Sequence, residues 1–213
     1  MMKFTPQKLT TLLVLTAALG GGLSACAPMI VGGAVMGSFV ATDRRTAGTQ
    51  VEDEGIELRA ANRIRENLGE RVHVNVTSYN RQVLLTGEAP TAKDKALIEQ
   101  LVSKVENVRA IVNEIGLTGN ASLTQRTNDT ITTGRVKAGL VDAKDLFANA
   151  FKVTTDRGTV YLMGRVTQRE AKHATEIASI TPGVLKVIRV LEIISEEELQ
   201  GMMPKPAPVE VKK

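Results

Sequence analysis

The chain has 213 residues, 43% hydrophobic and 23% charged, so it holds one large folded domain or two small ones and is not disordered throughout. One Cys and two His exclude an internal disulfide and a Cys/His-rich zinc site, and an aromatic content of 3% with no Trp weighs against nucleic-acid binding by base stacking. The net charge of +4 is a mild excess that suits an anionic partner.

At the N-terminus, Lys3 and Lys8 precede an apolar run from Leu9 to Leu19, followed by Gly20-Gly21-Gly22 and Leu23-Ser24-Ala25-Cys26. A basic start, a short apolar core and small residues before a cut describe a secretory signal over 1–25, too short to span a membrane as a helix. The last four residues resemble the bacterial lipobox. That resemblance implies cleavage before Cys26, whose sulfur and new amino group are then acylated, and small side chains suit the extended backbone a peptidase groove must admit. Several acyl chains hold a protein on a membrane where one alone holds it marginally. Ala27 in place of Asp implies, by the same resemblance, export to the outer membrane facing the periplasm. Loss of Lys3 and Lys8 leaves the mature chain at +2.

Residues 26–52 are expected to form the lipidated tether. Gly32, Gly33 and Gly37 lie among Ile30, Val31, Val35, Met36, Phe39 and Val40, a stretch that either lies beside the bilayer or packs on the folded body. Asp43 to Gly48 is polar and turn-like, marking the tether's end.

Two copies of one module follow, a first over 53–118 and a second over 119–195. In the first, Ala60, Ile64 and Leu68 line one helix face; in the second, Val136 and Leu140 do. Each helix is followed by a hairpin, and at a constant offset of 77 Val76 matches Val153, Val83 matches Val160, Leu85 matches Leu162 and Gly87 matches Gly164. Alternation puts Val74, Val76, Val83 and Leu85 on one face, and likewise Phe151, Val153, Val160 and Leu162. The turns fall within Ser78–Gln82 and at Asp156-Arg157-Gly158. A second helix starts near Thr91 in one copy and Gln168 in the other, with Thr91 and Thr167 as N-caps and Asp94 and Glu170 three residues on. A last strand runs from Val108 to Ile115 and from Val184 to Ile194. Each unit is therefore αββαβ, a three-stranded sheet covered on one face by two helices, and the chain is of the α+β class. At this length each core suffices for an independent domain.

The order strand, Gly, helix, Gly-Val, strand, carried here by Gly87 and Val108 and by Gly164 and Gly183-Val184, resembles the BON domain. A lipobox followed by two such repeats resembles the dual-BON outer-membrane lipoproteins associated with division and envelope stress. The likeness is strongest from Asp129 to Ile194. It implies a non-enzymatic protein that supports envelope integrity and whose second BON domain binds anionic phospholipid peripherally.

Charge bears on this independently. Residues 52–118 carry a net −2 and residues 119–195 a net +4, so the second module is the basic one. With Val136 and Leu140 turned to the core, Asp129, Thr132 and Ala143 fall near that face. Ile131, Gly134, Arg135, Lys137, Ala138 and Val141 fall on the side or back and form the candidate phospholipid-binding set. The alternative for Ile131 and Val141 is scattered surface apolars, which are normal. The family's usual Asp-Thr-Trp is here Asp129-Thr130-Ile131, which removes an indole that favours the membrane interface.

Elsewhere the signals are bland. His73 and His173 have no clustered partners, and Arg63, Arg65, Glu66 and Glu70 form a solvated helix face. No catalytic residue, metal site or cofactor is expected. Residues 196–213 read as a mobile Pro- and Lys-containing tail. The partners expected are the inner leaflet of the outer membrane through acylated Cys26, anionic phospholipid and outer-membrane assembly machinery, with no nucleic acid. The competing reading is a protein-interaction scaffold docking on that machinery or on a peptidoglycan-associated partner.

Overall fold

The computed structural model describes residues 43–119 and 121–202. The expected signal peptide, Cys26 and the Gly-rich stretch up to residue 42 lie outside the described residues, as do residues 203–213 of the tail.

The first helix, α1 (Ala47–Leu68), starts inside the stretch read as tether. Thr46 is extended and its side chain accepts a hydrogen bond from the Thr49 amide, so the N-cap lies there. Ile56, Ala60, Ile64 and Leu68, four residues apart, form its buried face, and Gly69 at φ 57° ends it. Strands β1 (His73–Tyr79) and β2 (Gln82–Glu88) form an antiparallel hairpin. Its two-residue turn, Asn80 and Arg81, has positive φ at both positions, the twist such hairpins need. Neither residue is glycine, and Asp53 of α1 offsets the cost. Its buried carboxylate accepts the Asn80 and Arg81 amides at 2.8 Å and the Ser78 hydroxyl at 2.7 Å. Helix α2 (Ala92–Ser103), capped by Thr91 as expected, leads to β3 (Ala110–Asn113), which pairs parallel to β2. The paired strand is shorter than the stretch Val108 to Ile115, whose end residues 108–109 and 114–115 lie outside the ladder.

The second module repeats the plan. Helix α3 (Leu123–Asp142) is capped by Ser122 and buries Asp129, Thr132, Val136 and Leu140, and Ala143 packs on the same core. Strands β4 (Phe151–Asp156) and β5 (Thr159–Thr167) enclose Arg157 and Gly158, whose amides donate to Asp129 at 2.8 Å, matching the role of Asp53. Helix α4 (Gln168–Ile180) opens on a capping box between Thr167 and Glu170, and β6 (Lys186–Ile194) pairs parallel to β5. The repeated glycines are places of close approach. A Cβ on Gly87 would overlap the His73 carbonyl oxygen, and one on Gly164 the Ala150 carbonyl oxygen.

Both sheets bury the predicted face under their helices. Their other faces are buried too. Leu84 and Tyr79 of the first sheet and Tyr161, Met163 and Val190 of the second form a third apolar cluster, flanked by Val112 and Ile188. The two sandwiches are therefore not independent: sheet packs on sheet, giving the layer order helices, sheet, sheet, helices. Each fully buried side chain such as Leu84 or Met163 contributes about 1.5–3 kcal/mol.

Polar contacts close the rim of this seam. Arg157 pairs with buried Glu88 at 3.0 Å, Lys152 with Glu57 at 2.6 Å, and the Gly87 amide donates to Asp156. Neighbouring Arg44 and Arg45 engage both modules. Arg44 donates to Glu170 at 2.6 and 2.8 Å, whereas Arg45 donates to Asp53 at 2.8 Å and stacks over the Tyr79 ring. Helix α5 (Glu196–Met202) occupies the start of the stretch read as mobile tail. Ser195 accepts the Glu198 amide, Leu199 is buried and Glu198 pairs with Arg165.

Candidate membrane-facing site

Helix α3 sets its polar and small residues outward by period. Ile131, Gly134, Arg135, Lys137, Ala138 and Val141 are all exposed, with Ile131 at 46% and Val141 at 68%. At about 100° per residue they occupy a strip roughly 160° wide. Ile131, Ala138, Gly134 and Val141 lie along its middle, with Arg135 on one margin and Lys137 on the other. Neither cation forms an ion pair among the described residues. The one hydrogen bond of Arg135 there goes from Nη1 to the Pro182 carbonyl at 3.3 Å. Apart from its chain neighbours and the helix's own backbone, no atom lies within 4 Å of the position a Gly134 Cβ would take, so the outer side of the helix there is open to approach.

The fold adds a residue that helix periodicity does not reach. Leu185, 84% exposed, stands just before β6 and borders one depression with Ile131, Arg135 and Thr132. The Thr181-to-Gly183 turn places it there: Gly183 has φ 98°, and the Leu185 amide donates to the Gly158 carbonyl at 2.8 Å. Its side chain packs over Gly158, where a Cβ would meet it at 2.8 Å. In sequence the signal is faint, a leucine directly after Gly183-Val184. Leu123, 82% exposed, extends the same side of α3 at its N-terminus.

Residues 53–119 and 128–195 each match the BON domain. The chain is also 35% identical over 190 residues, 88% of its length and 96% of the relative's, to the outer membrane lipoprotein DolP of Haemophilus influenzae. It is a two-BON-domain protein of the DolP family. The 21 kDa hemolysin of Actinobacillus pleuropneumoniae is 36% identical over 154 residues, 71% of this chain and 79% of that protein. Among solved structures, the type III secretion protein CdsD of Chlamydia trachomatis aligns over 74% of this chain and 99% of its own at 14% identity. Its TM-score of 0.28 has no bearing on the fold.

In BON terms, Gly87 and Gly164 are needed by the backbone, and Gly183 supports the turn that presents Leu185. The strip on α3 belongs to the first helix of the second BON domain. The corresponding helix of the first BON domain exposes Val51 and Leu58, but among acidic neighbours Glu52, Glu54 and Glu57. His73 borders a polar cleft with Glu88, Arg126 and Asp156, and His173 faces Asp145 at 3.0 Å on the surface. Among the described residues no His, Cys, Asp or Glu cluster fits a metal ion, and no helix is long and apolar enough to cross a membrane.

Proposed function

We propose that this protein is an outer-membrane lipoprotein anchored through Cys26. In this reading its second BON domain binds anionic phospholipid peripherally through Ile131, Gly134, Arg135, Lys137, Ala138 and Val141, joined by Leu185. The protein thereby supports envelope integrity, at division sites among others. The supporting observation is the exposed apolar strip on α3 with an unpaired cation on each margin. Small residues at 134 and 138 let headgroups approach the backbone, while Ile131 and Leu185 reach the acyl boundary. Each cation near an anionic surface adds about 1 kcal/mol.

Vesicle co-sedimentation tests this reading. The second domain alone is unsuitable, because cutting it free bares the apolar sheet face of Tyr161, Met163 and Val190. The unacylated chain with both domains should bind vesicles containing anionic lipid and leave neutral ones. Arg135→Glu and Ile131→Asp should each weaken binding about tenfold, and Ile131→Trp should strengthen it. Equal binding to both vesicle types would refute the assignment.

A further inference from the structure

A polar group taken out of water without a hydrogen bond keeps its full desolvation cost, so folded proteins leave few of them. Among the described residues two buried side-chain atoms are in that position, Glu88 Oε2 and Arg126 Nε. They belong to different BON domains, yet both residues line one cleft of about 300 Å³ beside the seam. No large apolar side chain lines it; Asn75 of β1, Thr130 and Thr133 of α3 and Thr154 of β4 do.

The cleft holds charges of both signs that do not meet. Glu88 Oε1 accepts from the Arg157 guanidinium at 3.0 and 3.1 Å and from the Ala121 amide at 3.2 Å, while Oε2 accepts nothing. Asp156 Oδ2 accepts from the Gly87 amide at 3.1 Å, and its carboxylate forms no ion pair among the described residues. Burial and the charges of Glu88 and Asp129 outweigh that amide and Arg157, and they hold the Asp156 carboxyl above the usual aspartate value. This side of the cleft is short of positive charge. Asp129 adds no demand, since the Arg157 and Gly158 amides donate to its two oxygens. Arg126, in the first turn of α3, has the opposite deficit: its guanidinium makes no ion pair or hydrogen bond among the described residues.

We propose that the cleft binds a small soluble zwitterion of the amino-acid class, its ammonium received by Asp156 and Glu88 and its carboxylate by Arg126. Opposite charges that line one cavity without pairing leave room for a molecule between them. A lone anion would face Asp156 and Glu88 uncompensated, and a lone cation would leave Arg126 unmatched. One molecule with both charges answers each deficit. Its ammonium brings three donors, enough for two carboxylates and the Asn75 amide oxygen, and a carboxylate meets a guanidinium through two parallel bonds. The volume is at the small end of ligand cavities, suited to an amino acid or a dipeptide. Glu88 comes from the first BON domain and Arg126 and Asp156 from the second, so the bound molecule bridges the two.

The test titrates the unacylated chain with glycine, alanine and glycylglycine and follows the NMR amide signals of Asn75, Thr130 and Thr154. At least one of the three should shift these signals saturably. N-acetylglycine lacks the ammonium and glycinamide the carboxylate, and each should bind about tenfold more weakly. Arg126→Gln removes no bond from the folded chain. It should weaken the zwitterion about tenfold and leave glycinamide unchanged, whereas Asp156→Asn should weaken the zwitterion and leave N-acetylglycine unchanged. O-phosphoethanolamine carries the same two charges in the form of a lipid headgroup. Tighter binding of that probe than of all three amino-acid probes would overturn the assignment to a soluble amino acid. The absence of any saturable shift, or affinities indifferent to Arg126→Gln, would overturn the site itself.

Discussion

Single residues differ here in why they are what they are, and glycines show it most sharply. Gly164 was legible as a glycine inside a strand pattern, and its reason is the Ala150 carbonyl against its Cα. Gly134 has open space around it and sits mid-helix, where glycine is about 1 kcal/mol worse than alanine. Urea denaturation should therefore show Gly164→Ala losing about 1–3 kcal/mol and Gly134→Ala gaining about 1 kcal/mol. Opposite signs at two glycines of one domain separate a backbone requirement from a surface one. Leu185 was not legible in the same way. Its place beside Ile131 depends on a turn docking against Gly158, a contact between positions 27 apart that no local period encodes.

Within elements, the helix faces were readable because Val136 and Leu140, like Ala60, Ile64 and Leu68, repeat at helical spacing over runs long enough to fix the phase. The link from each first helix to its hairpin turn was not: Asp53 looks in sequence like an ordinary helix-surface acid, and Asp129, though its period sets it near the core face, carries no sign of the turn amides it accepts. Burial alone would raise the Asp53 carboxyl. The Arg81 amide, the Ser78 hydroxyl, Arg45 and the Asn80 amide outweigh it and hold the group below the usual aspartate value. A lowered folded value means that the ionised form stabilises the protein above the unfolded value and that this is lost as pH falls through the folded one. Thermal unfolding followed toward acid should show that loss, and Asp53→Asn should flatten it while lowering stability at neutral pH. Undiminished acid sensitivity in the variant would place the titration elsewhere.

For the molecule as a whole, the second apolar face of each sheet was partly written in the sequence. Val160-Tyr161-Leu162-Met163 is a continuous apolar run, which marks a strand buried on both sides, as Leu84-Leu85 does more briefly. The alternation argument used one face and left the other to solvent. Nothing local announces Arg44 with Glu170, which are 126 positions apart. Both side chains are almost fully buried, so Arg44→Ala strands an unpaired carboxylate and should cost about 3–5 kcal/mol in denaturant unfolding. Glu170→Gln added to that variant should restore part of the loss. This pairing has a mechanical meaning. Any tension arriving along the chain at residue 43 meets two adjacent arginines, one fastened to each BON domain, before it meets α1. Load is then divided across the pair at the point of entry, and a tug cannot unzip the first helix without also breaking a hold on the second domain. A protein moored to a moving envelope by its front end would be pulled as one piece.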